Sequence, residues 1–174
     1  MKNALSRQSA LSRRALVLGA AAWGSLVLAG CGFELRKAPI YAFKTLSVPG
    51  RSAFVAYVRR NIAAAGTVTI VPEAQQATAD AVLDILGENR DRVVVSTNSA
   101  GEVRELNVRL TVRFRLRTPA GKDLLTGDIQ QRRDVTYNET NALAKDAEIE
   151  LLYRDMQNDI AQQILRRLAA VKEL

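Results

Sequence analysis

Apolar and polar residues alternate along the chain in a way that changes period twice. Residues 43–48 read as a first strand, closed by Pro49-Gly50. Ser52 then stands as the cap of a helix whose stripe is Val55, Val58 and Ile62 and whose stop is Gly66. Residues 67–71 are β-branched throughout and end at Pro72, a second strand. Strand, helix and strand over so short a span predict a crossover with the two strands parallel. A polar connection occupies 73–80.

The period then becomes two. Between 81 and 96 the odd positions Leu83, Ile85, Val93 and Val95 are apolar, and Asp84, Glu88, Arg90 and Arg92 take the even ones. Gly87 invites a bulge. After a turn at Asn98-Ser99-Ala100-Gly101, the alternation from 105 to 117 is nearly unbroken. Leu106, Val108, Leu110, Val112, Phe114 and Leu116 face one way; Glu105, Asn107, Arg109, Thr111, Arg113, Arg115 and Arg117 face the other. Such a strand buries one face only. Thr118-Pro119-Ala120-Gly121 is a hairpin turn, and 124–137 returns with Leu125, Ile129, Val135 and Tyr137 on its apolar side. Asn141 opens a long helix in which Ile149, Leu152, Tyr153, Met156, Ile160, Ile164, Leu168 and Val171 keep a 3.6-residue period. The expected fold class is α+β: two helices packed on one face of a mixed, largely antiparallel sheet of four to five strands, a two-layer sandwich.

Ahead of this domain, expected over 43–174, stands a segment of another kind. Arg13-Arg14 precede an apolar run that ends in Leu28-Ala29-Gly30-Cys31, with small residues before the sole cysteine. The layout reads as a lipoprotein signal over 1–30, cleavage before Cys31, and a diacylglyceryl group on the Cys31 thiol. A transmembrane helix needs about 20 apolar residues, and the run from Ala15 to Ala29 is shorter and holds Gly19 and Gly24. The arginine pair leaves both general and twin-arginine export open. Residues 31–42 would be a lipidated tether.

Removing 1–30 changes the charge balance. Of 25 basic residues, Lys2, Arg7, Arg13 and Arg14 leave with no acid, so 21 stand against 18 and the net charge is +3 rather than +7. That value does not argue for nucleic acid, and no aromatics interleave with the arginines. The chain has no histidine, and its one cysteine is consumed by lipid. Imidazole acid–base chemistry, thiol nucleophiles, disulfides and the usual zinc sets are therefore excluded. No carboxylate pair lies beside an apolar pocket, and no nucleophile motif or phosphate loop occurs. Neither an enzyme nor a cofactor is expected.

Two features carry candidate chemistry. Arg113, Arg115 and Arg117, with Arg109 behind them and Arg132 in the next strand, form a row at ~7 Å intervals. Guanidinium groups so spaced suit phosphates or carboxylates; a solvated face that protects the sheet is the other reading. Lys145 sits in the first turn of the long helix, where a cation opposes the dipole. Use by a ligand is one account, and neutralisation by Asp146, Glu148 and Glu150 is the other.

Cys31-Gly32-Phe33-Glu34-Leu35-Arg36 resembles the start of mature lipopolysaccharide-assembly lipoproteins of the LptE (RlpB) family. Asn141-Ala142-Leu143-Ala144-Lys145-Asp146 is similar to that family's long-helix start. Asp155-Met156 with Ile164-Leu165-Arg166-Arg167-Leu168 is similar to its ending, and the turn at 99–101 corresponds. The resemblance implies a lipoprotein at the periplasmic side of the outer membrane. Such a protein plugs and helps assemble the β-barrel LptD and binds lipopolysaccharide during delivery to the outer leaflet. It implies that Lys145 lies in the ligand region. The turn at Asn98 and Ser99 lacks the basic residue common in relatives, so Arg104 or the row Arg109, Arg113, Arg115 and Arg117 would compensate. Gly32, with no aspartate after the lipidated cysteine, leans the same way on sorting. A lipid-anchored structural adaptor of another envelope complex, without lipopolysaccharide binding, is the alternative.

Overall fold

The computed structural model describes residues 39–174. The expected signal, Cys31 and most of the tether lie outside the described residues. The elements run β1 (Thr45–Ser47), α1 (Ala53–Ala65), β2 (Thr69–Val71), β3 (Ala81–Thr97), β4 (Val103–Arg117), β5 (Asp123–Thr136) and α2 (Ala142–Ala169). Short 3-10 turns, Glu73–Thr78 and Glu139–Asn141, precede β3 and α2.

Local chemistry sets the limits of the crossover. Ser52 Oγ accepts from the Val55 amide at 3.1 Å and caps α1. Gly66 ends that helix at φ 68°, a left-handed conformation in which a side chain would be strained. β2 lies beside β1 in parallel, Leu46 opposite Ile70. The sheet order is β2-β1-β3-β4-β5, so β1 also pairs in parallel with the start of β3, Leu46 opposite Ala81. Asp80 fixes this junction. Its Oδ2 accepts from the amides of Lys44 and Thr45, both at 2.9 Å, and its own amide donates to Thr45 Oγ1 at 2.8 Å. Those backbone hydrogen bonds from Lys44 and Thr45 hold the Asp80 carboxyl below its ordinary pKa.

β3, β4 and β5 form an antiparallel meander far longer than β1 and β2. The apolar face of β4 is wholly buried, and with it Ile129 and Val135 of β5. Against it packs one continuous core: Phe54, Val55, Val58 and Ile62 from α1, and Ile149, Tyr153, Met156, Ile160, Ile164 and Leu168 from α2. Among the described residues the two-layer α+β arrangement thus has five strands.

One expectation needs correction. Gly87 does mark a bulge, with a register shift between Ile85 and Gly87, and the extra residue inverts parity beyond it. Glu88, Arg90 and Arg92 now stand opposite Val112, Leu110 and Val108, on the helix-bearing face. Val93 falls opposite Asn107 on the polar face and is 39% exposed, and Val95 is 55% exposed. The even-numbered charges of β3 are therefore not solvent decoration. Arg92 binds Asp146 at 2.7 Å, Arg90 binds Glu150 at 3.2 Å, and Gln157 Nε2 donates to Glu88. The Arg90 guanidinium lies 4.8 Å from the Tyr153 ring centre, and Tyr153 Oη donates to the Asp91 carbonyl at 3.1 Å. These contacts clamp the first half of α2 along β3.

Candidate functional site

The face of the sheet away from the helices carries the arginine row. Opposite Arg117, Arg115, Arg113 and Arg109 the register sets Val82, Asp84, Gly87 and Asp91 of β3. On the other side it sets Asp123, Thr126, Asp128 and Arg132 of β5. Carboxylates of both neighbouring strands thus flank the row, and the face is mixed rather than basic.

Within it the arginines part into groups. At one end, Asp84 Oδ2 takes Arg117 Nε at 2.7 Å and Arg115 Nη2 at 3.0 Å. The Asp84 side chain is only 15% exposed. Burial alone pushes its carboxyl pKa up, but the hydrogen bonds and charges of Arg117 and Arg115 outweigh that, and the net shift is downward. The hydrogen bond that Arg117 donates to Asp84 likewise raises the Arg117 pKa. Arg115 is also 3.7 Å from Asp123. These two arginines are spent on the fold.

Further along, Arg109 Nε donates to Asn107 Oδ1 at 2.6 Å, and Asn107 Nδ2 donates in turn to Asp134. Asn107 is buried, so this chain fixes Arg109 while leaving the rest of its guanidinium available. Arg132 stands directly opposite Arg109, a like-charge cross-strand pair that costs stability unless an anion joins it. Arg113 is exposed. A Cβ at Gly87 would stand 3.5 Å from its Nη2, so the guanidinium folds over the glycine.

Arg104 belongs to the far end. It pairs with Glu102 at 3.2 Å and lines a polar hollow of about 180 Å³ with Val103, Asn138, Glu139 and Thr140, just before α2. Tyr137 N donates to the Arg104 carbonyl at 2.8 Å, tying this strand end to the segment before the helix. Asn141 makes no side-chain cap hydrogen bond to α2; Asn138 instead caps the 3-10 turn just before it, its Oδ1 accepting from the Thr140 amide at 2.9 Å. Lys145, in the first turn of α2, bonds Glu148 at 2.8 Å, and its side chain is 26% exposed. Asp146 and Glu150, expected to offset it, bind Arg92 and Arg90 instead.

The structure therefore separates the candidate residues instead of gathering them. Arg104 lies beside the segment leading into the Lys145 helix, Arg109 and Arg113 lie mid-strand, and Arg115 and Arg117 are paired with Asp84. Arg132 joins the row as the sequence places it, directly opposite Arg109. Asp84 and the Asn107–Asp134 link carry no such signal in the sequence, because only the strand register sets them beside Arg115 and beside each other. Among the described residues no three acidic side chains gather as a metal site, and no helix is long and apolar enough to cross a membrane.

Comparison with known proteins places this arrangement. Residues 43–168 match the family model described as LptE, lipopolysaccharide-assembly. The chain is 32% identical over 161 residues to the LPS-assembly lipoprotein LptE of Yersinia pestis (strain Pestoides F), covering 90% of this chain and 75% of that one. Among solved structures it is similar to lipoprotein B from Nitrosomonas europaea, with a TM-score of 0.67 and 29% identity over 80% of this chain and 91% of that one. Rare lipoprotein B from Shewanella oneidensis gives 0.62 and 27% over 72% and 94%. Sequence and fold agree over nearly all of the described residues: the chain belongs to the LptE family of lipopolysaccharide-assembly lipoproteins.

Proposed function

We propose that this protein is anchored through lipid on Cys31 to the periplasmic side of the outer membrane. There it plugs and helps assemble an LptD-like β-barrel and binds lipopolysaccharide on its way to the outer leaflet. The family match over residues 43–168 carries the reading. Two physical points support it. Barrel interiors are polar, and a sheet face of interspersed arginines and carboxylates has the chemistry to lie against such a wall. Lys145, Arg104, Arg109 and Arg113 retain donors that can meet phosphate or carboxylate oxygens. Arg115 and Arg117 contribute less, because Asp84 already holds them. The mechanism has no covalent step: the acyl chains hold the domain at the bilayer, two or more being needed for stable anchoring, and cations loosen the ligand from its aggregates.

The mixed charge of the outer face favours one other reading, an adaptor that uses this face for protein contact alone. Affinity purification from detergent-solubilised outer membrane, followed by titration with lipopolysaccharide, separates them. The proposed function expects a large barrel to co-purify, and expects Lys145→Asp and Arg113→Asp each to weaken lipopolysaccharide binding several-fold. Wild-type affinity in both variants would leave the adaptor.

A further inference from the structure

The sheet has two long edges, and they are finished differently. Along β5, Arg167 Nη1 donates to the Asp128 carbonyl at 3.2 Å and Arg133 Nη1 to the Arg132 carbonyl at 2.9 Å. Asp128, Arg132, Arg133 and Asp134 crowd the same strand. Capped carbonyls and edge charges discourage an added strand. β3 is another matter. β1 reaches only Ala81 and Val82, so among the described residues the remainder of β3 has no strand on that side. Over residues 88–92 the α2 clamp covers it, through Glu88, Arg90, the Asp91 carbonyl and Arg92. Beyond the clamp, 93–97 reads Val-Val-Val-Ser-Thr, five uncharged residues of high strand propensity. Val93, Val94 and Val95 are 39, 50 and 55% exposed. Asn98 holds this end rigid, its Oδ1 accepting from the amides of Ala100 and Glu102.

We infer that the outer edge of β3 over 93–97 is a strand-addition site, occupied in the working assembly by an uncharged extended segment of the partner barrel. An edge offers alternating N–H and C=O groups, which only another extended polypeptide can match. The uncharged run selects a segment without charge, since a lone charge among three valines would lose solvation unpaired. Five residues of pairing bury far less than the roughly 1,200 Å² of a stable interface, so a second copy of this chain held by the edge alone is insufficient. The occupant must belong to a protein that makes further contact, and for that protein the inference rests on the barrel reading above. A closed barrel wall has no free edge of its own, so the segment comes from a loop or terminus. The register shift between Val94 and Ser96 keeps the pairing short.

The test uses the full lipoprotein in detergent, alone and co-purified with the barrel, and follows amide hydrogen exchange. The expected result is exchange over 93–97 at least tenfold slower in the complex. Val93→Lys, at an exposed position, should lower recovered barrel about tenfold while the fold and melting point hold. Barrel recovered normally by both proteins, with unchanged exchange over 93–97, would overturn the edge and leave the barrel reading standing. Absence of any barrel with wild type would overturn both. Concentration-dependent protection with a doubled mass would make a second copy the occupant and overturn the inference.

Discussion

Replacing Asp84 by Asn asks whether Arg115 and Arg117 serve the fold or a ligand. The carboxylate is 15% exposed, and its partners Arg117 and Arg115 are 20 and 36% exposed. Fully exposed ion pairs are worth about 0–1 kcal/mol, and removing one member of a buried pair costs about 3–5 kcal/mol. Asp84 stands between these limits, and the exposure of Arg115 pulls the value down, so the expected loss is about 2 kcal/mol. For a domain of this size that corresponds to roughly 6–10 °C in melting temperature, read by circular dichroism. A cycle with Arg117→Met should return a coupling of about 1 kcal/mol or more. The pH dependence has a definite sign. The folded pKa lies below the unfolded value of about 3.9, so the stabilisation is fully present above that value. It is lost as pH falls through the folded pKa, and the gap between wild type and Asp84→Asn should close on acidification. Lipopolysaccharide affinity should not move. Unchanged stability together with tighter ligand binding would refute the reasoning and assign both arginines to the ligand.

Tyr153→Phe removes only the hydroxyl that donates to the Asp91 carbonyl; a loss of about 1 kcal/mol and faster amide exchange at the start of α2 are expected, and no change in exchange would mean that the clamp holds without it. Ser47 is fully buried, and its Oγ has no hydrogen-bond partner among the described residues. Ser47→Ala should therefore be neutral or stabilising by up to about 1 kcal/mol in urea unfolding, and a clear loss would reveal a partner.

The sequence made the long meander legible because 105–117 keeps one parity without interruption, and made α2 legible because its stripe persists for many turns. It made β3 legible only as far as Gly87. The bulge was visible, but its consequence was not, because Val93-Val94-Val95 is apolar at either parity and cannot report which frame the strand has entered. The same ambiguity hid the clamp: Glu88, Arg90 and Arg92 share the even, polar parity of Asp84 until the frame shifts them under α2. The arginine row was readable as a row. Its partners were not, since Asp84 and Asp134 become neighbours of Arg117 and Asn107 only through strand register.

Spacing along β4 decides how the remaining cations can act. Arg104 and Arg113 are nine residues apart on one strand, about 30 Å at ~3.3 Å per residue. Screening between exposed charges becomes substantial beyond about 8 Å at physiological salt, so neither feels the other directly. If both grip lipopolysaccharide, they grip separate groups. Arg104→Glu and Arg113→Glu should then each weaken binding several-fold, and in the double variant the free-energy losses should add to within about 0.5 kcal/mol. Titration calorimetry of the three variants at fixed salt reads this directly. A double variant no worse than either single one would mean that the two positions act through one shared contact. The register of β4 forbids that unless the strand itself is remodelled on binding.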